Sequence, residues 1–152
     1  MTKTKQKILL FLLLVFSLYC SLSIGRSWDE GYHLLLGKST FDYLFSFGRI
    51  NNDVYYGEFY SPIYWTLQYF ISKISLVKYQ IETIHLTNLA FSFATIFGIG
   101  KVCKELFNRK VSKIMFLILF FYPIFFGHMS FNPKDMFLAF GHVWIFYSIL
   151  RY

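Results

Sequence analysis

Two acids stand side by side at Asp29-Glu30, inside the stretch Trp28-Asp29-Glu30-Gly31-Tyr32-His33. A carboxylate here could act as a general base, taking a proton from an acceptor hydroxyl as it attacks. Its neighbour could tune that base, orient a substrate or hold a metal ion. His33 follows Asp29 by four residues, so the two would share a helix face. A carboxylate and an imidazole at that spacing can bind a metal or share a proton. The simpler alternative for Asp29 is a helix N-cap. A second group is Phe131-Asn132-Pro133-Lys134-Asp135. Pro133 suits a tight turn or the first turn of a helix, and Asp135 would open the helix that follows. Lys134 could meet a phosphate oxygen as a point charge. The simpler alternative for this group is an interhelical turn with a capping acid.

Both groups lie beside long apolar runs. The chain has 152 residues, of which 56% are hydrophobic and only 15% charged. Soluble domains average about 45–50% apolar and roughly 25% charged, so the excess here points to a membrane protein. About 20 helical residues cross the ~30 Å hydrocarbon core. Four spans are expected, over 8–24, 83–102, 111–126 and 136–150. The first follows three lysines as a signal peptide would, but its apolar core exceeds the usual ~7–15 residues. It is read as a retained anchor.

The charges orient the spans. With the N-terminus cytoplasmic, Lys3, Lys5, Lys7, Lys101, Lys104, Arg109, Lys110, Lys113 and Arg151 fall inside, nine of the 15 basic residues. Glu105 is the one acid on that side. This pattern obeys the positive-inside rule. It puts Asp29-Glu30 and Lys134-Asp135 together on the outer, periplasmic or lumenal, face. The same basic residues explain a net charge of +7 without nucleic acid, because the aromatics sit within apolar runs rather than along a basic stripe.

The outer loop 25–82 is too aromatic to be unstructured. Asp29–Phe47 repeats Tyr32, Leu35, Leu36, Thr40, Tyr43 and Leu44 at helical spacing, which predicts an interfacial helix. Asn51-Asn52-Asp53 predicts a turn. Pro62–Leu76 predicts a second interfacial or re-entrant helix, with Tyr64, Trp65 and Tyr69 in the aromatic belt. His85 and His142 should mark inward faces of their spans. Gly98, Gly100, Gly127 and Gly141 should permit close helix contacts. Cys20 and Cys103 read as apolar filler. There is no Gly-rich nucleotide loop, and no acid lies within a proposed span as a transporter would want.

The motifs resemble those of a known family. Trp28-Asp29-Glu30-Gly31-Tyr32-His33 after the first span resembles the Asp-Glu motif of polytopic glycosyltransferases of the dolichyl-phosphate-mannose protein mannosyltransferase type, family 39, with the GT-C fold. Phe131-Asn132-Pro133-Lys134-Asp135-Met136 is similar to the Asn-Pro-Lys-Asp segment in an outer loop of bacterial members. The resemblance implies an all-α polytopic transmembrane helical bundle, the N-terminal portion of a GT-C fold, in the cell's inner membrane. It implies sugar transfer from a polyprenyl-phosphate-linked donor to a protein or glycolipid acceptor on the outer face. Asp29 and Glu30 would be the catalytic acids, supported by Asp135, in some members through a divalent metal. From their own chemistry and place rather than the resemblance, His33 would support the site and Lys134 would meet the donor phosphate. Trp28, Tyr55, Tyr56, Tyr60 and Trp65 could stack on the sugar or the prenyl chain. Family members carry more spans, so the resemblance also implies an N-terminal fragment or truncated product. The alternative function is a non-catalytic membrane subunit or assembly protein in which the acids only cap helices.

Overall fold

The computed structural model describes residues 3–50 and 62–152, and every element among them is helical. The expected turn at Asn51-Asn52-Asp53, and Tyr55, Tyr56 and Tyr60, lie outside the described residues. Seven α-helices follow in order: α1 Lys3–Ser23, α2 Glu30–Phe45, α3 Pro62–Ile74, α4 Gln80–Leu106, α5 Arg109–Phe121, α6 Pro123–Phe131 and α7 Pro133–Arg151. A short 3-10 turn, Val77–Tyr79, leads into α4.

α4 is the spine. Its 27 residues span about 40 Å at 1.5 Å per residue, and α1, α3, α5, α6 and α7 all pack on it. α1 offers it Leu13, Ser17 and Ser21, one residue every fourth place and all buried. The two serines are small enough to bring the helix axes close. The other faces of α1 expose Phe11, Leu12 and Phe16 at 53–64%, as a lipid-facing helix should. Leu13, Leu89, Ile96, Phe120 and Met129 form the central apolar cluster, drawn from α1, α4, α5 and α6.

Thr4–Ser23 and Val77–Leu106 are long and apolar enough to cross a membrane. The segment expected as a straight span over 111–126 is instead two helices bent by 71°. Pro123 causes the break: it has no N–H to donate, and it pushes Tyr122 to the extended φ −72°, ψ 112°. The bent pair is a third crossing if it counts as one span. α7 covers the expected 136–150, but Lys134, Asp135 and His142 dilute its apolar character.

Contact between helices is tightest at two glycines, with a looser approach at Gly100, where an added Cβ would lie 3.3 Å from Ser112 Oγ of α5. A Cβ on Gly98 of α4 would lie 2.6 Å from Val143 Cγ1 of α7, and a Cβ on Gly37 would lie 2.7 Å from the Trp65 carbonyl carbon. Gly98 thus fits the expected contact role. Gly127 and Gly141 do not, having open space where a side chain would be. His142 also departs from expectation. It is not buried on an inward face, and its Nδ1–H donates to Leu138 O of its own helix at 2.8 Å.

α2 lies on α3. Of the residues repeated at helical spacing, Leu35, Tyr43 and Leu44 are about half exposed, while Leu36 is buried together with Glu30 and Gly37. In α3 the aromatics assigned to the membrane interface turn inward. Tyr64 is fully enclosed and Trp65 is 3% exposed. Tyr64 stacks on Phe137 of α7 at 4.6 Å and meets Phe91 of α4 edge-on.

Candidate functional site

Successive helix residues point about 100° apart, and this separates the two adjacent acids. Asp29 stands at the start of α2 with its side chain 39% exposed. It occupies the N-cap position but makes no capping bond. Its Oδ1 instead accepts a 2.6 Å hydrogen bond from Ser27 Oγ, which fixes the carboxylate.

Glu30 turns into the protein and is 3% exposed. Oε2 accepts the Ser27 backbone N–H at 2.8 Å. Oε1 lies 2.5 Å from Nε2 of His85, which is fully buried on α4. His85 Nδ1 faces Ser21 O at 3.3 Å. A carbonyl oxygen only accepts, so Nδ1–H is the donor there, and a hydrogen bond joins Nε2 and Oε1. One imidazole thereby ties the end of α1, the start of α2 and the first turns of α4.

His33 extends the Asp29 side of the site. Its Nε2 is 4.0 Å from Asp29 Oδ2, too far for a hydrogen bond. Its ring stacks on Trp65 at 4.9 Å and 16°. This contact encloses Trp65, which is therefore not open to stack on a ligand, whereas Trp28 is 96% exposed. Burial pushes the His33 pKa below its usual 6.5. Asp29 opposes that shift, the Lys134 ammonium reinforces it, and Glu30 opposes it more weakly. The charge of Lys134, at the start of α7, is therefore felt at the start of α2.

Asp135 has a local explanation. Asn132 caps α7, its Oδ1 accepting from Asp135 N at 3.4 Å, while its Nδ2 donates to Asp135 Oδ2 at 2.9 Å. Nδ2 also lies 3.0 Å from His128 Nδ1 on α6. Pro133 takes the first helical position, as expected. The four residues Asn132 to Asp135 thus make a helix start resembling a capping box.

Below the Glu30–His85 pair runs a polar seam that the sequence reading missed. His85, Asn88, Ser92 and Thr95 of α4 are all buried and lie on one face. Asn88 Oδ1 accepts from the Tyr64 hydroxyl and, at 3.1 Å, from Gln68 Nε2. Its Nδ2 donates to Ser130 O at 2.9 Å, and Ser92 Oγ donates to Met129 O at 2.9 Å. The usable signal was helical spacing of polar residues within an apolar run. Burial raises the Tyr64 hydroxyl pKa, an effect its hydrogen-bonding with Gln68 opposes.

Among the described residues, no three of His, Cys, Asp and Glu gather into a group that could hold a metal ion. Asp29 and Glu30 diverge, Glu30 is engaged by His85, and Asp135 is engaged by Asn132. The arrangement defines a helical membrane-type bundle with an open carboxylate above a buried Glu–His pair. No known family, curated protein or solved structure matches the chain.

Proposed function

We propose that the chain is the N-terminal part of a GT-C-type membrane glycosyltransferase, moving a sugar from a polyprenyl-phosphate-linked donor to an acceptor on the outer face. The observation that supports it most is the division of labour in the acidic pair: Asp29 is open and held by Ser27, while Glu30 is enclosed by His85. In this reading Asp29 takes the proton of the acceptor hydroxyl. That oxygen bonds to the anomeric carbon, the bond from that carbon to the phosphate oxygen breaks, and polyprenyl phosphate leaves. Lys134 meets the departing phosphate charge. Glu30 is a positioning residue, setting the start of α2 through His85 and Ser27.

The test is transfer of sugar from a fluorescent polyprenyl-phosphate donor in membranes containing the full-length protein of which this chain is read as the N-terminal part. Asp29→Asn should lose at least about 100-fold in rate, the scale of a lost general base, with membrane insertion unchanged. Equal rates for the two proteins, or no transfer by the natural one, refutes the reading.

A second reading, a non-catalytic membrane subunit, is favoured by one observation. Asn132, Pro133 and Asp135 are accounted for by capping α7. It expects Asp29→Asn to be silent and substitutions at Gly98 to disrupt the bundle.

A further inference from the structure

The end of the bundle remote from Glu30 holds a groove that the sugar-transfer reading does not use. It encloses about 500 Å³ between α1, α4, α5 and α7, a volume typical of small-molecule sites. Its walls are apolar, built by Leu9, Leu10, Ile96, Phe116 and Leu117. Its rim is basic, with Lys101, Lys104 and Lys113 all lining it. His85 and Lys101 are both on α4, about 24 Å apart along the helix, so this is a separate place in the fold.

The charges around the groove are unbalanced. The acid that lines it, Glu105, lies 3.6 Å from Arg151 Nη1, so it is answered from α7 rather than by the rim lysines. Lys113 Nζ donates to Gln6 Oε1 at 3.3 Å, a neutral partner that leaves its charge in place. Lys101 Nζ sits 5.2–5.7 Å from the rings of Phe97, Trp144 and Tyr147. Those rings hold the ammonium at the mouth of the groove without neutralising it. Three positive charges thus stand over an apolar slot on the flank of helices long and apolar enough to cross a membrane.

We infer that this groove binds one anionic glycerophospholipid of the leaflet at the lysine-rich end. An acyl chain fills the slot and the phosphate meets Lys101, Lys104 and Lys113. The complementarity is twofold. Chain methylenes replace water on the apolar walls, and the headgroup charge answers the rim. A zwitterionic lipid of the same chain length satisfies the walls but not the rim.

The test uses the whole protein purified in a mild detergent and exposed to phosphatidylglycerol or phosphatidylcholine with identical acyl chains. Bound lipid is counted by native mass spectrometry. At about fivefold per ammonium, phosphatidylglycerol should bind on the order of a hundredfold more tightly. Replacing the three rim lysines together by Gln should erase the preference, and replacing them by Arg should keep it. Leu10→Trp, which fills the slot from an exposed position on α1, should remove the bound lipid while circular dichroism stays unchanged. The inference is overturned if the two lipids bind equally, or if either the Gln or the Trp variant binds as the natural protein does. It is also overturned if polyprenyl phosphate displaces phosphatidylglycerol at equal concentration, or if the groove closes a dimer that Leu10→Trp dissociates.

Discussion

Asn88 is a residue on which three helices depend, and Asn88→Leu tests that dependence. Its side chain is fully buried on α4. It accepts from Tyr64 and Gln68 of α3 and donates to Ser130 O at the end of α6. Leucine keeps the branching of the side chain with bulkier methyl groups, so the substitution removes three hydrogen bonds without opening a cavity. A side-chain hydrogen bond between membrane helices contributes about 0.6 kcal/mol on average, and a buried one in water about 0.5–1.5. Three such bonds give about 2–4 kcal/mol. The assay is unfolding in mixed micelles followed by Trp fluorescence, which reads Trp65 on α3 and Trp144 on α7 together. Tyr64→Phe removes one of the three bonds and should lose about 1 kcal/mol. Combined with Asn88→Leu, its loss should fall short of additive, because the Tyr64 hydroxyl has no Asn88 acceptor left to lose. Loss of less than about 0.5 kcal/mol in Asn88→Leu, or strict additivity, refutes the seam as a fastening between α3, α4 and α6.

The buried Glu30–His85 pair makes a different prediction. His85→Leu strands an enclosed carboxylic acid and should lose about 3–5 kcal/mol, whereas Leu at both positions should recover most of that loss; thermal unfolding in detergent measures it, and a double variant as unstable as the single one refutes the pairing. His33 predicts a pH dependence. Its pKa is lowered by burial, so the unfolded chain binds the proton more readily, and the stabilisation present above pH 6.5 is lost as pH falls through the lowered folded value. His33→Phe should flatten this part of the melting temperature profile between about pH 7.5 and 5, and an unchanged profile would show that other groups cause it.

The helices were legible where one local rule decided. Apolar runs marked α1 and α4, helical spacing marked α2 and an aromatic-rich stretch opened by Pro62 marked α3, both to within a few residues, and Asn132-Pro133 marked the start of α7. The break in the third expected span was also written locally, in Pro123, but the apolar run around it masked the signal. The site was harder to read because its decisive contacts are distant. Nothing near Glu30 in the chain announces His85, 55 residues away. Side-chain direction on a helix was available and would have split Asp29 from Glu30, since neighbours at i and i+1 do not face the same way. Tyr64 and Trp65 misled for a related reason: an amphipathic aromatic suits both a lipid boundary and a protein interior, and only α7 and His33, arriving from elsewhere, decide between them.

The reach from Glu30 to His85 also sets a schedule for synthesis. At about 5–20 residues per second, His85 is added roughly 3–11 s after Glu30. Throughout that interval the first helix and the acid behind it have no imidazole to close on, so a nascent chain paused between them carries a carboxyl group destined for a nonpolar interior. Until α4 arrives, α1 and α2 lack the fastening that His85 gives them in the folded chain.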